Sequence, residues 1–315
     1  MKTLKLDNLP TNYYNVAFSV AKYRELLGFE NENFSDVILN HFLNHVKTYT
    51  EGNLFINETD GEGRYDRYSI LISCEIAQTL YNAKIEIPSM IKEMLKKSAS
   101  VVLEMANEKG DGICYGRSIG AYKDTAPHQI TSQAHLQSLL NKESLAIAVA
   151  YMERSLNKFL DFWIIDNHHV NLAFFDRQTD SYRHKRRAFG ESISLLMQWL
   201  DIKDIFRDYQ NEKVTFKTHR SLISFKENRA LYVFNDGTNL WNLGIISGGK
   251  QYYSKSAYLP VPQLNKVLES PSNRDLPYFY PFFVKDANTY ITSHDIHKIK
   301  EINDGVCFKR KKHDR

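Results

Sequence analysis

Seven stretches of helical periodicity are joined by connections that alternate between short and long, and this alternation constrains the fold more than any other feature of the chain. Residues 12 to 27 and 34 to 49 repeat apolar side chains at three- and four-residue steps, as two amphipathic helices do. The turn GFENEN, residues 28 to 33, joins them. A third helix is expected over Tyr68 to Tyr81. A fourth follows Pro88, with Ile91, Met94, Leu95, Val102, Met105 and Ala106 on one face and Gly110 suited to its end. The fifth and sixth are expected over 127 to 141 and 144 to 164, and the seventh over 189 to 208. The connections after the first, third and fifth helices are brief, whereas those starting near residues 51, 109 and 165 are long. Successive antiparallel helices reverse direction, so loops leaving the second, fourth and sixth helices emerge at one end of the bundle. Long loops on a rigid scaffold are where binding and catalytic groups tend to sit.

After about residue 212 the period changes. VTFKTH, SLISF, ALYVF, LWNLGII, QYYSKSAYL, YFYPFFV, TYITS and VCFKR are short runs rich in β-branched and aromatic residues. Asn-Asp-Gly at 235 to 237, Gly-Gly at 248 to 249 and a later Asp-Gly separate them and suit hairpin turns. The expected fold is therefore α+β with two domains: helical hairpins over residues 1–211, then an antiparallel β-sandwich over 212–315. A chain of 315 residues with 43% hydrophobic side chains is long enough to bury a core in each.

Each long loop carries candidate functional residues. The first contains DGEGRYDRYS, residues 60 to 69, where Arg64, Tyr65, Asp66, Arg67 and Tyr68 stand beside Asp60 and Glu62 just before a helix. Donors, acceptors and titratable groups are dense there, which favours function over a merely solvated loop. In the second, GDGICYGRSIGAYKDTA (110 to 126), three glycines allow close backbone approach and Arg117 offers a fork that grips a carboxylate through two bonds. Tyr115, Tyr122 and Asp124 flank it, and His128 follows at the start of the next helix. The third runs from Ile164 through His168, His169, Asn171, Arg177 and Tyr182 to the basic cluster RHKRR. Trp163 stands at its root, a ring able to stack on a sugar.

Several function classes are disfavoured. Neither the Walker pattern nor a strand followed by GxGxxG occurs, so no nucleotide cofactor is implied. Adjacent histidines without a carboxylate at ligand spacing make a metal site improbable, and three scattered cysteines give no zinc spacing or disulfide framework. The net charge of +4 is too mild, and the basic residues too dispersed, for a nucleic-acid partner. No apolar run reaches membrane-spanning length, so no membrane partner is expected. As written the chain is expected in the cytoplasm, or outside it if a signal segment precedes this sequence. Aromatic residues at 13% of the chain suit flat ligands such as sugars.

Taken in order, DGxxxYxxYS, GRSIGAY, FFDRQTDSYRHKRRAFGESISLL, LYVFNDGTNLWNLG and SAYLP resemble the polysaccharide lyase superfamily built on an α/α toroid and a β-sandwich, which includes hyaluronate, chondroitin and heparin lyases. The resemblance implies β-elimination from a uronic-acid-containing polysaccharide, with no cofactor. By motif, Tyr68 or Tyr65 resembles the catalytic tyrosine and Arg117 the arginine that binds the uronate. His128 or His168 would share the proton transfer, with Arg64, Asp66, Arg67, Tyr115, Tyr122, Asp124, Trp163, Asn171 and Arg177 as substrate contacts. Two features differ from the family: the DG loop has no histidine and only Asn53 and Asn57 precede it, and the helical hairpins are fewer. A partial or shortened toroid is expected on that count. Two other readings fit the same residues. One is a glycoside hydrolase drawing its acid and base from Asp60, Glu62, Asp66 and Asp124. The other is a non-catalytic glycan-binding protein that stacks sugars on tyrosines and Trp163.

Overall fold

The computed structural model describes residues 11–31, 33–55, 67–111, 126–165, 169–170, 212–226, 229–245, 282–286, 289–292, 296–303 and 305–310, with positions 193, 196–197, 199–200, 203–204 and 207–209. The fold is mixed, helical first and antiparallel β afterwards. Among the described residues six bounded helices run in chain order: α1 (Thr11–Leu26), α2 (Phe34–Tyr49), α3 (Arg67–Asn82), α4 (Ser89–Glu104), α5 (Ala126–Leu136) and α6 (Lys142–Trp163). The described positions between 193 and 209 are helical as well.

Four of the helices, α1, α2, α3 and α5, end through a shared device that the sequence conceals. After α1, the Phe29 amide reaches Arg24 O (2.8 Å) and the Gly28 amide reaches Glu25 O (2.9 Å), with Gly28 at φ 73°. This paired-bond ending satisfies the orphan carbonyls of the last turn and requires one residue in the left-handed region. After α2, α3 and α5 that residue is Glu51 (φ 55°), Lys84 (φ 58°) and Ser138 (φ 55°) rather than glycine. The bonds are the same: Ile85 to Leu80 O at 3.0 Å, and Leu139 to Ala134 O at 2.8 Å. Ser138 therefore stops α5 at Leu136, five residues before the end expected from periodicity at 141. Gly110 does not end α4 either. That helix stops at Glu104, and Gly110 closes a separate turn with its amide on Asn107 O, 3.2 Å.

The nine strands lie in four separate antiparallel sheets among the described residues. β1 (Ile164–Ile165) and β2 (His169–Val170) form a two-residue hairpin at the exit of α6. β3 (His219–Lys226), β4 (Arg229–Asn235) and β5 (Leu240–Ile245) make a three-stranded sheet in that order. β6 (Phe282–Asp286) pairs with β7 (Thr289–Thr292), and β8 (Ile296–Ile302) with β9 (Gly305–Arg310). The expected strand VTFKTH is mostly irregular, because only His219 joins the ladder, opposite Asn235. The run IHKIKEI of β8 escaped sequence reading, since Ile296, Ile299 and Ile302 fall at every third position, which is not the two-residue alternation of a strand. QYYSKSAYL and the Gly-Gly turn lie outside the described residues.

Helices and sheet bury one continuous apolar cluster. Tyr14 and Phe18 of α1, Phe42 and Val46 of α2, Ile70 and Ile76 of α3, Ile91 and Leu95 of α4 and Ile130 of α5 belong to it, and so do Phe225, Leu231 and Val233 of the sheet. α1 is apolar on its outer side too: Tyr13, Val16, Val20, Tyr23 and Leu26 are exposed, as are Ile193, Leu196, Met197 and Leu200. A groove of about 680 Å³ runs between these two faces, with Glu75, Gln78 and Gln129 along it.

Candidate functional site

The two ends of the helical layer can be told apart by what gathers at each. One cavity of about 680 Å³ is lined by Tyr81 and Asn82 of α3, Lys92 of α4, and Leu136 with Gln137 after α5. The C-terminal end of α3, the start of α4 and the C-terminal end of α5 therefore share one end. The starts of α3 and α5 and the C-terminal end of α4 share the other, where the long connections begin and finish. α2 delivers its exit there as well. Lys97 Nζ of α4 donates to Asn53 O (2.5 Å) and lies 4.9 Å from the Phe55 ring centroid, which packs edge-on at 5.0 Å against Phe225. Asn53 Nδ2 donates to Phe225 O.

The root of the second long loop is fixed in a buried polar knot. Asn107 Oδ1 accepts from the Asp111 amide (3.1 Å), and Asn107 Nδ2 donates to Asp111 Oδ2 (2.8 Å) and to Thr238 O (3.1 Å). Lys158 of α6 forms an ion pair with Asp111, and the Tyr151 hydroxyl donates to Asp111 O. Each of these groups is satisfied by the next, which is the condition under which buried polar atoms hold a unique geometry. Gly110 presses onto α6 so closely that a Cβ there would stand 2.3 Å from Ser155 N and 2.4 Å from Arg154 C.

α5 carries the most unusual environment. Its first nine residues, Ala126 to Ala134, are all buried, although they include His128, Gln129, Thr131, Ser132 and Gln133. The His128 ring is 1% exposed, and its centroid lies 6.4 Å from that of Trp199 at 68°. Among the described residues neither ring nitrogen has a hydrogen-bond partner. Burial lowers its pKa from the ordinary 6.5 to about 3, so the imidazole is neutral at physiological pH.

Five of the residues singled out from sequence have described backbone positions. Arg67 and Tyr68 open α3, His128 is the third residue of α5, Trp163 closes α6 and His169 opens β2. α3 and α5 are neighbours that start at the same end, and α6 returns to that end from the short 137–141 connection. The backbone thus brings Arg67, Tyr68, His128 and Trp163 to one end of the helical layer. Arg64, Tyr65, Asp66, Tyr115, Arg117, Tyr122, Asp124, His168, Asn171 and Arg177 lie outside the described residues, together with Asp60 and Glu62. Sequence reasoning missed Asn107, Tyr151, Lys158 and Asn235. Only the Asn-Asp-Gly turn signalled any of them, because a buried amide in a knot leaves no periodic trace.

Compared with known proteins, the chain matches no family model, no curated protein and no solved structure. The site must be argued from its own residues. Among those described, no three His, Cys, Asp or Glu side chains gather as a metal site would need, and no helix is long and apolar enough to cross a membrane. Cys74 is buried with its thiol pKa pushed well up by burial, first, and by Glu75, while Cys307 is exposed. A buried thiol of that kind is a poor nucleophile.

Proposed function

We propose that the protein is a polysaccharide lyase that cleaves a uronic-acid-containing chain by β-elimination, its helical hairpins forming part of an α/α toroid and its strands a β-sandwich. One observation carries this reading: the starts of α3 and α5 and the exits of α2, α4 and α6 meet at one end, with Arg67, Tyr68, His128 and Trp163 on those element ends. The motif resemblance gives the roles. Arg117 pairs with the uronate carboxylate and makes the C5 proton acidic by stabilising the enolate-like intermediate. Tyr68, ionised beside arginines, removes that proton and returns it to the leaving glycosidic oxygen as the carbon–oxygen bond breaks and the double bond forms. His128 is a weak base at a pKa of about 3, so proton removal falls to the tyrosine.

Incubation with a panel of acidic polysaccharides tests the reading through the ultraviolet absorbance of an unsaturated product. The wild-type protein should generate that absorbance on at least one uronate polymer, and Tyr68→Phe should lower turnover by at least a hundredfold while retaining the polymer. Reducing ends released without absorbance would identify hydrolysis instead, and full turnover by Tyr68→Phe would remove the tyrosine from the mechanism.

A further inference from the structure

The β4–β5 turn reads in sequence as an ordinary hairpin, yet the Asn235 side chain and the Gly237 and Thr238 carbonyls meet the chain that leaves α4. Asn235 is fully buried. Its Nδ2 donates to Ala106 O (2.8 Å) and Glu104 O (3.3 Å), two carbonyls that the end of α4 leaves without helical partners. His219 Nε2 lies 2.9 Å from Glu104 O and 2.9 Å from Glu104 Oε2, and Ser221 Oγ donates to the same carboxylate at 2.5 Å. The other half of the turn takes the next residues of the chain. Gly237 O accepts the Glu108 amide (2.8 Å), Thr238 O accepts Asn107 Nδ2, and Lys109 Nζ donates to Asn239 Oδ1. Four consecutive residues after α4, Ala106 to Lys109, are therefore each tied to residues 235–239. Gly237 sits at φ 88° with room for no Cβ, since one would meet Phe216 O at 2.5 Å. The turn is shaped from within by Asp236, whose Oδ1 accepts the Thr238 amide (2.9 Å) and the Asn239 amide (2.5 Å).

We propose that the β4–β5 turn, through Asn107, is a positioning element for Asp111, the root of the second long connection. The sheet would then act on the catalytic end of the helices without touching substrate. This inference rests on the lyase reading for its functional consequence, but not for its geometry. Asp236 contacts neither Asn107 nor Asp111, so its effect on them must travel through the turn. Loosening the turn lowers the fraction of molecules whose loop root is in the binding-competent place. Substrate then selects that fraction, which raises KM by its inverse and leaves kcat nearly unchanged. Simple loss of folded protein would do the reverse.

The test uses Asp236→Ala in the full chain, with amide hydrogen exchange at Glu108, Gly110 and Asp111 as the first readout and the α3 amides of Ile72 to Leu80 as the control. Exchange at the three root amides should rise at least fivefold with the control amides unchanged. KM for the uronate polymer cleaved by the wild type should rise at least fivefold, with kcat within twofold. Asn107→Ala, which removes the connecting side chain, should raise KM by as much or more. Unchanged exchange at Gly110 and Asp111 in folded Asp236→Ala would overturn the proposal, because the turn would then be a local structure only. Should the wild type cleave no uronate polymer, the lyase reading falls, and the exchange ratios alone still decide whether the turn holds the loop root.

Discussion

His128 shows how one buried side chain links the candidate site to the protein's response to acid. In an unfolded chain its imidazole takes a proton near pH 6.5, whereas in the fold burial delays this to about pH 3. Between those values the unfolded state binds the extra proton, so stability falls as pH drops through that window, and the contribution is whole above pH 6.5. At pH 5 the loss amounts to about 2 kcal/mol, from 1.36 kcal/mol per pH unit. His135 shifts in the same direction, also through burial. Glu25 acts lower: burial opposes its ionisation, but hydrogen bonds from Lys22 and Ser35 outweigh that and hold its pKa below the usual carboxylate value. Its contribution is lost only as pH falls through that lowered pKa. Comparing His128→Leu with wild type therefore isolates one group. Urea unfolding at pH 7 and pH 5 should show the wild type losing about 2 kcal/mol more than the variant over that interval. Equal losses would mean that water reaches the ring and that it titrates normally.

At the scale of elements, the left-handed endings of α3 and α5 carry a measurable cost. Lys84 and Ser138 occupy a region where a Cβ crowds the following carbonyl, by about 1 kcal/mol relative to glycine. Lys84 is exposed, so replacing it removes little packing. Lys84→Gly and Ser138→Gly should each stabilise the fold by roughly 0.5–1 kcal/mol, read as a rise of the thermal midpoint by a degree or more. A fall in either variant would show that the side chain does more than tolerate its backbone. The same endings explain what could be read from the chain. Helix existence was legible because Ile91, Leu95 and Val102, or Phe42 and Val46, repeat at helical steps. The α5 boundary was not, since nothing about Ser138 announces a left-handed residue. The alternation of short and long connections gave the shared loop end, because successive helices reverse direction whether the connection between them is short or long. The polar knot of Asn107, Asp111 and Lys158 was hidden, because its bonded pairs are 4 and 47 positions apart in sequence and meet only in the fold.

For the whole molecule, the question is whether the helical layer is a scaffold in its own right. Phe225, Leu231 and Val233 are at most 5% exposed and lie in the same apolar cluster as the helices. Full burial of three such side chains contributes roughly 5–9 kcal/mol. That is on the scale of the entire stability of a typical domain, about 5–15 kcal/mol. Removing the sheet also strips the Glu104 and Ala106 carbonyls of Asn235 and His219, leaving the exit of α4 open to water. It would add fresh apolar surface to a layer whose α1 already exposes Val16, Val20 and Leu26. Expressed alone, residues 1–211 should therefore keep helical far-ultraviolet circular dichroism but lose a sharp unfolding transition and bind a hydrophobic dye, as loosely packed states do. Adding back the chain to residue 245, which completes β3 to β5, should restore cooperative unfolding without the later ladders. A sharp transition in the 1–211 fragment at the midpoint of the full chain would show that the helices hold themselves together. The buried ties between turn and helix would then align the two parts and do nothing to keep either folded.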